Sequence, residues 1–192
     1  MTVAHTDRFA AAAEAAAVAE REIQARIDRK EKSKSSKKPE ESAAMQAGAR
    51  QYPAPPLPKQ HLKKPGEESD LECAPMYDAP HYKGSEKLEG KVALITGGDS
   101  GIGRAVAVLY AREGADIAIA YLNEHDDAEE TKRAVEKEGR RCITISRDVA
   151  DSEFCNEAVA RTIKGLGRLD ILVNNAAFQE HVPYQGPTLE PL

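Results

Sequence analysis

Tryptophan is absent from this 192-residue chain and phenylalanine occurs only three times, so its core cannot depend on large aromatic anchors. Cysteine is scarce as well. Cys73, Cys142 and Cys155 are odd in number and fall at spacings unlike a disulfide framework or a metal motif, which points to a reducing setting. No metal site is expected. No run approaches the roughly 18–20 consecutive apolar residues that cross a bilayer, which excludes a membrane-spanning helix. The opening MTVAHTDRFAAAAEAAAVAE lacks the charged-then-apolar layout of a secretory signal. Asp7, Glu14, Glu20, Glu22 and Asp28 are too many acids for a transit peptide. A cytoplasmic protein is the expectation. With 27 basic and 32 acidic side chains the net charge is −5, and nothing in that balance favours nucleic acid as a partner.

What is present divides into unlike parts. Residues 1–50 read as an Ala-rich helix followed by a basic linker, disordered or solvated. Residues 8–28 are strong helix formers, but the face of Phe9, Ala16, Ile23 and Ile27 is thin. The run RKEKSKSSKK (29–38) has no interleaved aromatics and reads as a solvated linker rather than a nucleic-acid patch. Residues 51–86 form a Pro-rich arm, with Pro53, Pro55, Pro56 and Pro58 favouring an extended path, either as a spacer or lying on the domain.

From residue 87 the pattern becomes regular. KVALIT (91–96), ADIAIAYL (115–122), RCITISRD (141–148) and LDILVNN (169–175) read as apolar strands of the kind buried on both faces. Between them lie three helices. The first runs from Gly101 to Glu113 with Ile102, Val106, Leu109 and Tyr110 inward. The second runs from Asp127 to Gly139 with Ala128, Ala134 and Val135 inward. The third is capped by Asp151 or Ser152, with Cys155, Val159 and Ile163 inward. Strand and helix alternating in steps of about 25–30 residues demand right-handed parallel crossovers. The fold class is therefore α/β, a Rossmann-type doubly wound sheet, with 87–192 its dinucleotide-binding part.

The first strand runs straight into TGGDSGIGR. In that turn Gly97 permits a sharp exit from the sheet, Gly101 lets a pyrophosphate approach the backbone, and Gly103 lets the helix pack close to the strand. The N–H groups at the helix start then face the phosphates, bared to take them. His125-Asp126-Asp127 reads as a solvated helix start. Arg104 suits either a surface or a phosphate-proximal role.

TGGDSGIG (96–103) together with NNAA (174–177) resembles the paired signatures of the short-chain dehydrogenase/reductase family, from about residue 87 to 181. The longer string QYPAPPLPKQ…PGEE…YKGSEKLEGKVALITGGDSGIGRA is similar to a subgroup with an extended N-terminal arm. That subgroup includes bacterial general stress oxidoreductases and plant glucose/ribitol dehydrogenase homologues. The resemblance implies strand order 3-2-1-4 and an NAD(P) cofactor. It assigns Gly97, Ser100, Gly101, Ile102 and Gly103 to the pyrophosphate turn, Asp148 and Val149 to the adenine, and Asn174 and Ala176 to the ribose side. Asn174 has a second reading, as an amide that ties neighbouring strands.

Cofactor choice rests on the end of the second strand. An acid there holds the ribose diol of NAD, whereas a cation takes the 2′-phosphate of NADP. The acid's position is Tyr121, and the cation's positions hold Ser100 and Leu122. The balance tips slightly to NADP.

The resemblance also implies a Tyr-x-x-x-Lys pair for alcohol–carbonyl chemistry. Four residues after Tyr52, Tyr77, Tyr82, Tyr110, Tyr121 and Tyr184 stand Pro56, His81, Glu86, Gly114, His125 and Thr188. No catalytic residue is therefore assigned. The chain reads as the cofactor-binding half of an oxidoreductase, truncated before its reacting groups and inactive alone. A catalytically silent dinucleotide-binding or regulatory module is the alternative. An apolar edge at DILVNN would make the chain weakly stable and prone to form homo-oligomers.

Overall fold

The structure, a computed structural model, describes residues 3–32, 52–62 and 66–177. The second half of the basic run and the closing VPYQGPTLEPL lie outside the described residues.

Four strands, β1 (Val92–Thr96), β2 (Asp116–Tyr121), β3 (Cys142–Ser146) and β4 (Ile171–Val173), form one parallel sheet in the order β3-β2-β1-β4. Ile95 stands opposite Ile119 on one side and Val173 on the other. Crossovers are made by α2 (Gly101–Arg112), α3 (His125–Lys137) and α4 (Ser152–Leu166), while α1 (Val3–Lys32) precedes the sheet. This is the doubly wound arrangement that the alternation predicts.

VALIT and DIAIAY carry almost no polar alternation because both of their faces are covered. On one face Ala93, Ile95, Ile117 and Ile119 pack with Ala107 and Ala111 of α2 and Ala128 and Val135 of α3. On the other, Leu94, Ala118, Ala120 and Ile145 meet Phe154, Ala158 and Leu166 of α4. Each large side chain so enclosed contributes roughly 1.5–3 kcal/mol. Phe154, fully buried, is the largest apolar one among the described residues.

Helix phases differ from the sequence reading. In α2 the buried residues are Gly103, Arg104, Ala107, Val108 and Ala111, and Ile102 is 77% exposed. The close approach at Gly103 leaves Ile102 outside, while Val106 and Tyr110 of α2 and Val159 of α4 do pack against the core as read from the sequence. In α4 the inward row is Phe154, Ala158, Thr162 and Leu166, one step off the expected row, and Cys155 and Ile163 are exposed. Thr162 is tolerated inside because its hydroxyl donates to Ala158 O at 2.8 Å. Asp151 caps α4, accepting from Glu153 N–H at 2.9 Å. The N-terminal helix also runs on through 29–32, into the run read as linker.

The arm lies on the domain. Near its end, Glu113 accepts from Ser85 N–H at 3.0 Å, Lys87 N–H at 3.1 Å and the Tyr82 hydroxyl. Arg112 reaches Ala79 O at 2.7 Å and Asp78 at 2.9 Å. Upstream, Glu68–Asp70 form a short 3-10 turn that is driven against the start of α2.

Candidate functional site

The turn from β1 into α2 is fixed by backbone contact. Gly97 adopts φ +62°, and its N–H donates to Ala120 O at 2.6 Å. A Cβ on Gly103 would collide with the Gly97 carbonyl oxygen, so only glycine allows α2 to start this close to the strand. Gly101, at φ +51°, has open space where a Cβ would be. Ser100 is the N-cap residue, but its hydroxyl donates to Asp99 Oδ2 at 3.0 Å rather than capping the helix.

The tip of α2 is not bare, contrary to the sequence reading. Gly101 N–H donates to Glu68 Oε2 at 2.6 Å, and Glu68 Oε1 pairs with Arg104 Nη1. Among the described residues no acceptor meets the next two amides, those of Ile102 and Gly103. The donors of the turn left without a described acceptor are thus these two, one step further along.

Arg104 is only 1% exposed, neither at the surface nor free for a phosphate. Its Nε and Nη2 donate to Asp99 O at 3.1 and 2.9 Å, and Nε also reaches Thr131 Oγ1 at 2.9 Å. Thr131 Oγ1 donates to the same Asp99 carbonyl at 2.6 Å. Asp127, 2% exposed rather than solvated, accepts from Glu68 N–H at 2.7 Å and lies 3.4 Å from Arg104 Nη2. It is buried because two cationic or N–H donors meet it there. Tyr77 stacks on the guanidinium at 5.0 Å.

Burial raises the pKa of the Glu68 carboxyl, against the lowering by Gly101 N–H and Arg104. Burial likewise raises that of Asp99, with Glu124 and Asp127 adding to it. Stripping a partner from a buried ion pair costs about 3–5 kcal/mol. An anion at a helix N-terminus gains only about 0.3–2 kcal/mol.

The remaining predicted residues surround this turn. Tyr121 ends β2 buried, its hydroxyl 2.9 Å from His125 Nδ1 with the rings edge to face. Burial raises its phenol pKa. Asp148 follows β3 and accepts from Ala150 N–H at 2.8 Å, and Val149 is 36% exposed beside it. Asn174 is exposed beyond β4 and does not tie the strands. That role belongs to Asn175, whose Nδ2 donates to Thr96 O at 3.1 Å and Gly97 O at 2.8 Å. Thr96 Oγ1 accepts from the N–H groups of Asn175 and Ala176 at 3.0 Å each. Alternation along β4 puts the second Asn inward, which a count from Leu172 can recover. Glu68, Asp99, Thr131 and Asp127 carry no local signal.

A parallel sheet thus runs into a turn with four glycines in seven residues, followed by a helix start with two amides that meet no acceptor among the described residues. Residues 91–189 match the family model described as short chain dehydrogenase. The chain belongs to the short-chain dehydrogenase family. It is 63% identical over 124 residues to general stress protein 39 of Bacillus subtilis, covering 64% of this chain and 43% of the relative. It is 42% identical over 140 residues to NADPH-dependent aldehyde reductase 1, chloroplastic, of Arabidopsis thaliana, covering 70% and 47%. Against glucose and ribitol dehydrogenase of Daucus carota it is 38% identical over 141 residues, covering 70% and 47%. The chain thus spans less than half the length of these relatives. A solved short chain dehydrogenase from Burkholderia cenocepacia in complex with NADP is 43% identical at TM-score 0.49, covering 54% of this chain and 42% of that one.

Proposed function

We propose that this chain binds NAD(P) at the β1–α2 turn and forms the cofactor-binding half of an alcohol–carbonyl oxidoreductase. The observation that supports the reading is the pair of amides, Ile102 and Gly103, that meet no acceptor among the described residues, on a turn that only glycine can close. The residues present fit a dinucleotide. Backbone donors meet a diphosphate, the open space at Gly101 admits it, and Tyr121, Asp148 and Val149 line the adenosine side. Asn174 and Ala176 line the ribose side beyond β4. The cofactor would supply hydride exchange. This chain's residues hold and orient it, and no Tyr-x-x-x-Lys pair stands in the sequence to move the proton.

Between the two dinucleotides, Tyr121 in place of an acid tips the choice slightly to NADP. The NADPH dependence named for the Arabidopsis relative supports the same side. Leu172, 54% exposed on the β4 edge, supports self-association of the chain through that edge and a homo-oligomer in solution.

The test is titration of the chain with NADH and NADPH, followed by nicotinamide fluorescence. Saturable binding is expected. Ile102→Pro removes one phosphate donor at a position in the first helical turn where proline is tolerated, and should abolish binding with the fold retained. An unchanged affinity in that variant would remove the turn from the site.

A further inference from the structure

We infer that the N-terminal arm is part of the dinucleotide site, with Glu68 a positioning residue that holds the glycine turn from behind. The inference rests on the NAD(P) reading above. Four glycines in seven residues make a turn that is costly to order, so its donors face a phosphate only if something outside the turn fixes the peptide planes.

The fixing groups are on the page. The Asp99 carbonyl receives Arg104 Nε, Arg104 Nη2 and Thr131 Oγ1, which sets the peptide leading into Ser100. Glu68 closes the clamp by taking Gly101 N–H with one carboxylate oxygen and Arg104 with the other. Asp127 fixes Glu68 in turn by accepting its backbone N–H. Glu68 shares the Arg104 guanidinium with Asp127 and Glu130, the latter 3.2 Å from Nη1, so the cluster binds its carboxylate in place.

A groove of about 410 Å³ beside the tip is walled by the same arm, with Gln60, Glu67, Glu68 and Leu71 facing Ser100 and Gly101. The arm is thus built into the rim of the turn. A competing account makes Glu68 a gate that keeps phosphate out. The two accounts differ in sign. A gate predicts tighter dinucleotide binding when the carboxylate is neutralised, and a clamp predicts weaker binding.

The experiment compares NADH and NADPH affinities of the full chain with those of Glu68→Gln and Thr131→Val. A Gln amide sets a donor against either Gly101 N–H or Arg104, so one contact is lost whichever way it turns. Glu68→Gln should weaken both dinucleotides about tenfold, a misplacement effect. Thr131→Val, which changes no charge, should weaken them in the same direction. In both variants, hydrogen exchange should quicken at Gly101–Gly103 and stay unchanged at Ile117–Ile119, which a general loss of stability would not produce. If Glu68→Gln fails to fold, Thr131→Val carries the comparison alone. Equal or tighter binding by the variants overturns the clamp while leaving the NAD(P) reading intact. Failure of the unaltered chain to bind either dinucleotide overturns both.

Discussion

At the tip of α2, side chains from the arm, α2 and α3 converge on one short turn, and Arg104, Asp127 and Thr131 are each no more than 2% exposed. At the opposite side of β1, β4 is three residues long, pairs on one side only, and leaves Leu172 54% exposed. The first region is held by buried, mutually satisfied polar groups brought from three parts of the chain. The second is held by backbone pairing plus Thr96 and Asn175. Buried ionic clusters tolerate no single loss, because each removal leaves a charge uncompensated. An exposed strand edge loses little when one contact goes. The contrast says where rigidity has been placed: around the groups that would meet a phosphate.

The sharpest way to break that contrast is Arg104→Met. It leaves Glu68 and Asp127 buried without their cation and should cost about 3–5 kcal/mol in denaturant unfolding. A loss under 1 kcal/mol would show that the cluster is not a rigid centre. Next, Gly103→Ala drives a methyl group into the Gly97 carbonyl, with an expected cost of about 1–3 kcal/mol and loss of NADPH binding. Affinity equal to that of the unaltered chain would contradict the close approach of α2 to β1.

On the weaker side, Asn175→Ala removes the two amide contacts to Thr96 O and Gly97 O and should cost about 0.5–1.5 kcal/mol. Faster hydrogen exchange at Leu172 and Val173 is the local readout, and Ile117 to Ile119 should be unaffected.

The smallest effect concerns the far end of the arm and depends on pH. The Tyr82 hydroxyl, followed by the Ser85 and Lys87 amides, lowers the Glu113 carboxyl from 4.5 to about 2. A depressed folded pKa means that its stabilisation is fully present above about 4.5 and is lost as pH falls toward 2. The Ser85 and Lys87 amide resonances should therefore hold steady as pH falls from 7 through 4.5 and shift only as it approaches 2. A shift centred near neutrality would assign the arm's anchoring to another group.

The sheet was legible from sequence because VALIT and DIAIAY are apolar on both faces, and the strand order came from the family resemblance. The phases of α2 and α4 were not. Ile102 and Ile163 are exposed although apolar, and the buried rows run one step away, through Arg104, Ala107, Val108 and Ala111 in α2 and Phe154, Ala158, Thr162 and Leu166 in α4, because the approach of helix to sheet is set elsewhere. The glycine spacing disclosed the turn, but the clamp behind it was invisible. Glu68 lies 33 residues before the amide it meets, and Asp127 lies 59 after the Glu68 N–H it accepts from. A "PGEE" string in a Pro-rich arm carries no sign that one of its carboxylates will be buried against a guanidinium. Asp127 sits in an acidic helix start, a pattern that ordinarily means solvent.

The most direct test of the account is a nitrogen-edited NMR titration of the full chain with NADPH and with NADH. The account predicts saturable shifts at the Ile102 and Gly103 amides, with the Gly101 amide remaining bonded to Glu68 and moving least of the three. Saturable binding that leaves Ile102 and Gly103 unmoved, or no binding of either dinucleotide, would contradict it.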